Sequence, residues 1–248
     1  MSPEAPAPFL SSVDYAHRGL HGPPGGFAEN SLPAFSAAFD RGLGAECDVR
    51  LSADGIAFVF HDERLERMTG EEGAFASRRA VDLDTVQLNG GGGAIPRLSL
   101  LLRLAGKEAP LLIEVKISRG EAVAPLCAAV LGDLEGHEGP AAVMSFHPGV
   151  SRWFAVHAPK IPRGLVVTEE KDRGLAGSIK RRLAMAHARP DFLAYDIRDL
   201  PSPFAARARK RGLPVLSWTV RDEAQWASVR AHADAAIFEG DPEKARGR

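Results

Sequence analysis

The stretch Ala45-Glu46-Cys47-Asp48-Val49-Arg50-Leu51, followed at once by Ser52-Ala53-Asp54-Gly55, decides how this 248-residue chain folds. In an extended strand, side chains alternate between two faces, so Glu46, Asp48 and Arg50 share one face and Cys47, Val49 and Leu51 the other. The apolar face suits helices packed outside a sheet. The charged face then points into the mouth of a barrel, where unpaired charge costs several kcal/mol unless something positive sits there. Leu111 to Lys116 repeats the arrangement, with Ile113 and Val115 outward and Glu114 and Lys116 inward.

Further short apolar runs lie at Val13 to Ala16, Ala141 to Ser145, Gly164 to Val167, Phe192 to Tyr195, Val215 to Trp218 and Ala235 to Phe238. Most are separated by helical periodicity. After the first run, Asn30 or Ser31 can cap a helix carrying Leu32, Phe35, Ala38 and Phe39 at helical spacing, with Pro33 tolerated in its first turn. Eight strands alternating with helices over about 250 residues predict an α/β fold, a (β/α)8 TIM barrel, with residues 1–248 as a single domain. A doubly wound open sheet has the same rhythm. No Gly-x-Gly-x-x-Gly follows the first strand, so nothing supports a dinucleotide site.

Two departures from the repeat are expected. The turn signal at Ser52 to Gly55 predicts that Ile56 to Phe60 returns antiparallel to the second strand, as an added hairpin. A turn centred on Asp54-Gly55 makes facing residue numbers sum to 109, which sets His61 opposite Asp48. Residues 63–97, including Gly90 to Gly93, then form a small insertion of the length usual for functional or mobile loops.

Composition narrows the partners. Thirty-one Lys and Arg against 32 Asp and Glu leave a net charge of -1, with none of the positive excess that nucleic acid or an anionic membrane requires. Cys47 and Cys127 stand eighty positions apart with no second cluster, so they read as buried thiols in a reducing compartment. The N-terminus has no basic region or long apolar run, and no stretch reaches the roughly 18 apolar residues of a spanning helix. A cytoplasmic protein with a short flexible lead of about ten residues is expected.

Glu46, Asp48 and Glu114 converge from two neighbouring strands without enough cationic side chains to neutralise them. Carboxylate oxygens without thiolates or clustered imidazoles suit one hard divalent cation, Mg2+ or Ca2+. His17-Arg18-Gly19 follows the first strand and His61-Asp62 the returning hairpin strand, so both imidazoles stand at strand ends, where barrels keep their chemistry. Imidazole titrates near neutral pH, which makes His17 and His61 a natural general acid and general base. Three carboxylates, a divalent cation, Arg18 and Lys116 together leave a charge of +1. A phosphodiester carries -1. Arg18 offers bidentate donors to its oxygens and Lys116 a point charge beside them. Phe146 and Trp218, at or after strand ends, are candidates for the pocket wall, although the apolar core is the favoured place for each. Lys180-Arg181-Arg182 and Arg207-x-Arg209-Lys210-Arg211 read as solvated helix faces. His137, His147, His157, His187 and His232 lack acidic neighbours at ligand spacing and receive no role.

In order and spacing, these residues resemble the glycerophosphodiester phosphodiesterases of the bacterial, cytoplasmic type. The resemblance runs through His17-Arg18-Gly19, Glu29-Asn30-Ser31, Glu46-x-Asp48 with Asp54-Gly55, His61-Asp62, Leu65-x-Arg67-x-Thr69, Ile95-Pro96-x-Leu98, Glu114-x-Lys116, Ser145-Phe146 and Trp218-Thr219-Val220. It implies a (β/α)8 barrel whose cation is held by Glu46, Asp48 and Glu114, with His17 and His61 in acid/base roles and Arg18 and Lys116 near the phosphate. It also implies a small-molecule glycerophosphodiester substrate. The free glycerol hydroxyl would attack phosphorus, expel an alcohol such as choline or ethanolamine, and leave a cyclic phosphate that water opens to sn-glycerol 3-phosphate. Two departures stand out. The Leu20 to Ala28 loop, with Pro23-Pro24-Gly25-Gly26, is longer than the family's usual link, and Ile237 to Pro242 lacks the usual Thr-Asp pair, so no function is carried over to that segment. Two other readings compete: a lysophospholipase D-type enzyme acting on a lipid diester, motivated by residues 63–97, and a non-catalytic phosphoester-binding barrel.

Overall fold

The computed structural model describes residues 7–22, 26–170, 172–240 and 243. Its strands are β1 (Tyr15–His17), β2 (Gly44–Leu51), β3 (Ala57–Val59), β4 (Leu111–Val115), β5 (Ala141–Ser145), β6 (Arg163–Val167), β7 (Phe192–Asp196), β8 (Val215–Val220) and β9 (Ala235–Phe238). Eight of them are parallel and neighbour one another in the order β1-β2-β4-β5-β6-β7-β8-β9, and β9 pairs back onto β1. The sheet is therefore closed, which sets aside the open-sheet alternative. Outside it run α2 (Leu32–Phe39), α4 (Leu98–Ala105), α5 (Val123–Leu134), α6 (Pro148–His157), α7 (Leu175–Ala188), α8 (Pro203–Lys210) and α9 (Glu223–His232). Cys47, Val49, Ile113 and Val115 are fully buried in the layer between strands and helices, on the face that alternation assigned to them. Among the described residues, no helix is long and apolar enough to cross a membrane.

The barrel interior changes character along its axis. Its lower part is an apolar plug of Tyr15, Leu112, Met144, Val166, Phe192, Leu216 and Ile237. Above it the inward positions turn polar: Glu46, Asp48, Glu114 and Asp196 are all buried. The plug is closed from below by α1 (Phe9–Ser12), whose Leu10 is fully buried and whose Phe9 carbonyl accepts a hydrogen bond from the Tyr15 hydroxyl at 2.5 Å. The expected ten-residue flexible lead is thus corrected from residue 7 onward, because an aliphatic side chain there completes the plug. Residues 1–6 lie outside the described residues, as do Pro23, Pro24 and Gly25 of the long rim loop and Asp241 and Pro242 after the last strand.

β3 pairs antiparallel with β2, but one residue away from the expected register. Val49 faces Val59, Arg50 faces Phe58 and Leu51 faces Ala57. The numbers sum to 108 because the turn has three residues, not two: the Ser52 amide donates to the Ile56 carbonyl at 2.9 Å, the Ser52 hydroxyl accepts from the Ile56 amide, and Gly55 takes a positive φ of 86°. Asp48 therefore faces Phe60, whose amide donates to its carbonyl at 2.9 Å, and His61 follows immediately beyond.

Residues 63–97 are an ordered appendage with an apolar core of their own. A 3-10 turn (Phe75–Ser77) and α3 (Ala80–Leu83) bring Phe75, Leu83, Val86 and Ile95 against Phe58 and Phe60. Phe75 stacks on Phe60 at 5.1 Å and meets Phe58 edge-on at 6.3 Å. Phe75→Ala is expected to destabilise the fold by roughly 3–5 kcal/mol, the usual loss for emptying a buried phenylalanine site, read as a lowered urea midpoint. His61 adjoins Phe60, so the same variant is expected to lose activity below its unfolding temperature.

The basic run Lys180-Arg181-Arg182 departs from its expected place. Arg181 is only 11% exposed; it pairs with Glu169 at 2.7 Å and donates to the Asp172 carbonyl at 2.7 Å. α7 buries the small residues Gly177 and Ala188 and leaves Leu175, Ile179 and Leu183 facing solvent, so a long guanidinium can fold back beneath it. Of the second run, Arg209 pairs with Asp234 at 2.8 Å.

Candidate active site

β1 is short, and that brevity organises the site. It covers only Gly44, Ala45 and Glu46 of β2's edge, with His17 level with Glu46. The rest of the same edge, from Asp48 to Leu51, is taken by the returning chain and β3. Both histidines are thereby delivered to one edge of one strand, although their positions in the chain are far apart. β4 lies on the other edge and sets Glu114 level with Asp48.

The acidic side chains meet as the alternation required. One oxygen from each of Glu46, Asp48 and Glu114 lies within 4.8 Å of the others, and all three residues are buried. Lys116 Nζ donates to Glu114 at 2.8 Å and stands 3.4 Å from Asp48 Oδ1. The Arg18 amide donates to Glu46 Oε2 at 3.2 Å, its Nε lies 3.0 Å from Asp48 Oδ2, and its Nη1 donates to Glu29 at 2.8 Å. Burial, with the carboxylates of Asp48 and Glu114 nearby, pushes the Glu46 carboxyl well above its ordinary value. Burial also raises Glu114, against the pull of Lys116. At Asp48 burial is outweighed by Lys116 and Arg18, which hold the carboxyl below its ordinary range.

This set fits a divalent cation. Glu46 Oε1 is buried with no hydrogen-bond partner among the described residues, and two crowded carboxyls are raised, as expected where positive charge is short. An all-oxygen donor set of three carboxylates suits a hard ion.

Each histidine is held by a carboxylate through Nδ1, His17 by Glu239 Oε1 at 2.6 Å and His61 by Asp62 Oδ1 at 2.6 Å. Such a bond fixes the tautomer and leaves Nε2 free for chemistry. His17 Nε2 points to the carboxylates, 3.8 Å from Glu46 Oε2. Burial is the largest influence on both imidazoles and keeps each below the ordinary 6.5. His17, Arg18, His61, Glu114 and Lys116 line one cavity of about 440 Å³, with Phe146 and Trp218 on its wall. The two aromatic rings meet edge-to-face at 5.4 Å. Phe146 is 45% exposed, so its favoured place in the apolar core is corrected: it stands at the cavity wall, its ring centroid 5.9 Å from Lys116 Nζ. Trp218 is part-buried against the apolar plug and donates through its indole N–H to the Ala194 carbonyl at 2.9 Å. His147 follows β5 but caps α6, accepting from the Gly149 amide.

A model of the glycerophosphoryl diester phosphodiesterase family matches residues 17–244, nearly the whole chain. The chain belongs to this family. A glycerophosphodiester phosphodiesterase of Bacillus altitudinis is 31% identical over 110 residues, which span 42% of this chain and 44% of that protein. The chain thus aligns with under half the length of that curated relative. Among solved structures, a protein of Silicibacter pomeroyi named as a putative glycerophosphoryl diester phosphodiesterase superposes with a TM-score of 0.78 at 25% identity, over 94% of this chain and 91% of that one. A phosphodiesterase of Oleispira antarctica, in complex with sn-glycerol-3-phosphate, superposes at 0.80 with 23% identity, over 92% and 93% of the two chains, a likeness of fold.

Within this glycerophosphoryl diester phosphodiesterase fold, three residues stand at the site to which the sequence assigned no role in it. Asn30, at a positive φ of 58°, leaves the helix cap to Ser31 and instead donates from Nδ2 to Asp48 Oδ2 at 3.0 Å while Oδ1 accepts from the Asp48 amide. Asp62 is visible in the sequence only as His61's neighbour. Glu239 ends the barrel in the segment to which nothing was carried over, yet it holds His17 and is itself gripped by Arg221 Nε at 2.8 Å. Burial opposes ionisation of Glu239, but the His17 and Arg221 hydrogen bonds bring its carboxyl down to about 2.

Glu239→Gln is therefore expected to lower kcat about tenfold while leaving KM within about twofold, because it loosens the orientation of His17 without touching Arg18 or Lys116. The sign with pH follows from the depressed carboxyl. Its contribution to stability is complete above the unfolded value of about 4.3 and is lost as pH falls towards about 2. The urea-midpoint difference between wild type and variant should narrow as pH falls from neutral towards about 3.

Proposed function

We propose that this chain hydrolyses glycerophosphodiesters of the glycerophosphocholine or glycerophosphoethanolamine type to sn-glycerol 3-phosphate and an alcohol. The observation that carries the reading is two imidazoles on one cavity, each anchored through Nδ1 by a carboxylate, beside three converging acidic groups. Family membership supports the reaction class.

Arg18 and Lys116 bind and orient the diester through its phosphoryl oxygens. One histidine removes the proton from the glycerol hydroxyl as it attacks phosphorus, and the other protonates the departing alkoxide. The roles reverse when water opens the cyclic phosphate. Burial lowers both imidazoles below their ordinary value, which favours the proton-accepting form in whichever ring begins as base. Glu46, Asp48 and Glu114 would hold a divalent cation, Mg2+ or Ca2+. When bound, it would polarise the phosphoryl oxygen and lower the pKa of the attacking hydroxyl. Phe146 and Trp218 border the space for glycerol or the alcohol. Residues 1–248 act here as one catalytic unit. Buried, unpaired Cys47 and Cys127 support a cytoplasmic setting.

The test is a coupled glycerol 3-phosphate assay over a panel of diesters with Mg2+, Ca2+ or chelator. Release from glycerophosphocholine or glycerophosphoethanolamine that chelator abolishes supports the reading. Turnover confined to lysophospholipid micelles transfers it to a lysophospholipase D, and tight diester binding without product makes the chain a binding protein.

A further inference from the structure

A second group of donor atoms, of a different chemical kind, gathers where β9 ends. One donor atom from each of His17, His21 and Glu239 lies within 4.8 Å of the other two. Glu239 Oε1 is 2.6 Å from His17 Nδ1 and 4.0 Å from His21 Nε2. The second distance is too long for a hydrogen bond, and His21 Nε2 is a buried atom with no hydrogen-bond partner among the described residues. Arg221 grips both carboxylate oxygens, donating from Nε to Oε2 at 2.8 Å and from Nη2 to Oε1 at 3.2 Å, with Oε1 facing both rings. The chain between β1 and α2 fixes His21 through its amide, which donates to the Gly19 carbonyl at 3.0 Å.

Two imidazole nitrogens and one carboxylate oxygen are a donor set for a borderline ion and not for the hard cation suited to the carboxylates of Glu46, Asp48 and Glu114. The geometry points to a second, inhibitory metal site, in which His17, His21 and Glu239 take up one Zn2+ ion and disable His17. Binding itself needs nothing from the proposed reaction; only the inhibition rests on that reading. Arg221 would then serve as the partner that orients the ligating carboxylate.

The inhibition follows from proton bookkeeping on one ring. A neutral imidazole carries one proton. With Nδ1 donating to Glu239, Nε2 has a free lone pair and can accept a proton from substrate. A metal on Nδ1 displaces the proton shared with Glu239, and the ring's single proton must sit on Nε2. That nitrogen can then no longer act as base. As acid it lacks the extra proton of an imidazolium, so either role assigned to His17 is lost.

The experiment uses the whole chain in a roughly thousandfold excess of Mg2+ over added Zn2+, so that the hard site is filled first. Zinc binding is read by calorimetry, and Co2+ as a substitute is read by its visible absorption. One equivalent of Zn2+ is expected to bind and to lower the glycerol 3-phosphate rate at least about tenfold, with recovery on adding chelator and restoring Mg2+. His21→Ala should weaken zinc affinity at least about tenfold and abolish the inhibition, yet keep the zinc-free rate within about twofold of wild type. Glu46→Gln should keep the zinc heat and the cobalt absorption. The proposal is overturned if His21→Ala binds zinc as tightly as wild type, if the signals vanish in Glu46→Gln but persist in His21→Ala, or if bound zinc leaves turnover unchanged. Because calorimetry and absorption read binding directly, a chain that cleaves no diester would sink the proposed reaction while leaving the zinc question decided.

Discussion

Glu46→Gln is expected to reduce diester hydrolysis by about three orders of magnitude or more, the scale of losing several kcal/mol of charge stabilisation in the transition state. The side chain keeps its shape, and the oxygen of the new carboxamide can still accept from the Arg18 amide, so the loss is one of charge and coordination. Two further readouts separate this from a folding defect. In wild type, Mg2+ or Ca2+ should raise the melting temperature by linkage, because the folded carboxylate cluster binds the ion and the unfolded chain does not. In Glu46→Gln that rise should largely vanish. Without cation, however, the variant should melt no lower than wild type: it removes one of three crowded, buried carboxyls, two of them already pushed up by burial and by the Asp48 carboxylate. A variant that is equally stable, deaf to cation and inactive would tie Glu46 to the ion. Full turnover in Glu46→Gln would sink that role.

His17→Ala and His61→Ala should each cost about 10² to 10⁴ in kcat, the usual range for removing a general acid or base. The double variant should lose less than the product of the two, since a pair that acts as a unit is not additive. The pH profile carries a sign. Burial comes first among the causes and holds both imidazoles below 6.5, so the form that accepts a proton predominates at neutral pH. The acid limb of kcat/KM should therefore fall below about pH 6.5, with the rate decreasing as pH drops through it. A limb well above 7 would show that burial does not govern the working histidine. Titrating the single variants separately assigns the limb to one ring.

Much of this was legible in the chain. The strand positions and inward acidic faces followed from alternation, a strong signal because Cys47, Val49, Ile113 and Val115 have nowhere to go but the helix layer. Repetition of that signal predicted eight strands, and the pairing of β9 with β1 is what separates the barrel from an open sheet of the same rhythm. What escaped was decided by single residues against the pattern. Whether Asp54-Gly55 makes a two- or three-residue turn depends on the Ser52 hydroxyl reaching the Ile56 amide, which composition does not encode. Glu239 stands in a segment that departs from the family's habit, so its grip on His17 comes from closure of the barrel, which sets β9 beside β1. Asn30 has two eligible roles, cap or clamp, and Ser31 next to it takes the first. Charge alone places Arg181 in solvent, although its long aliphatic stem can follow the small-residue face of α7 inward.

The register of β3 has a last consequence, for how errors spread. Sliding β3 by one position along β2 would exchange the faces of Phe58 and Phe60 with those of Ala57 and Val59, bringing the aromatic pair out of the insertion's core. The same slip would carry His61 away from the cavity. Misalignment and loss of chemistry are thus one event, and a mis-threaded chain cannot pass as a competent one: the hairpin acts as a proofreader, penalising in packing the arrangement that would fail in catalysis.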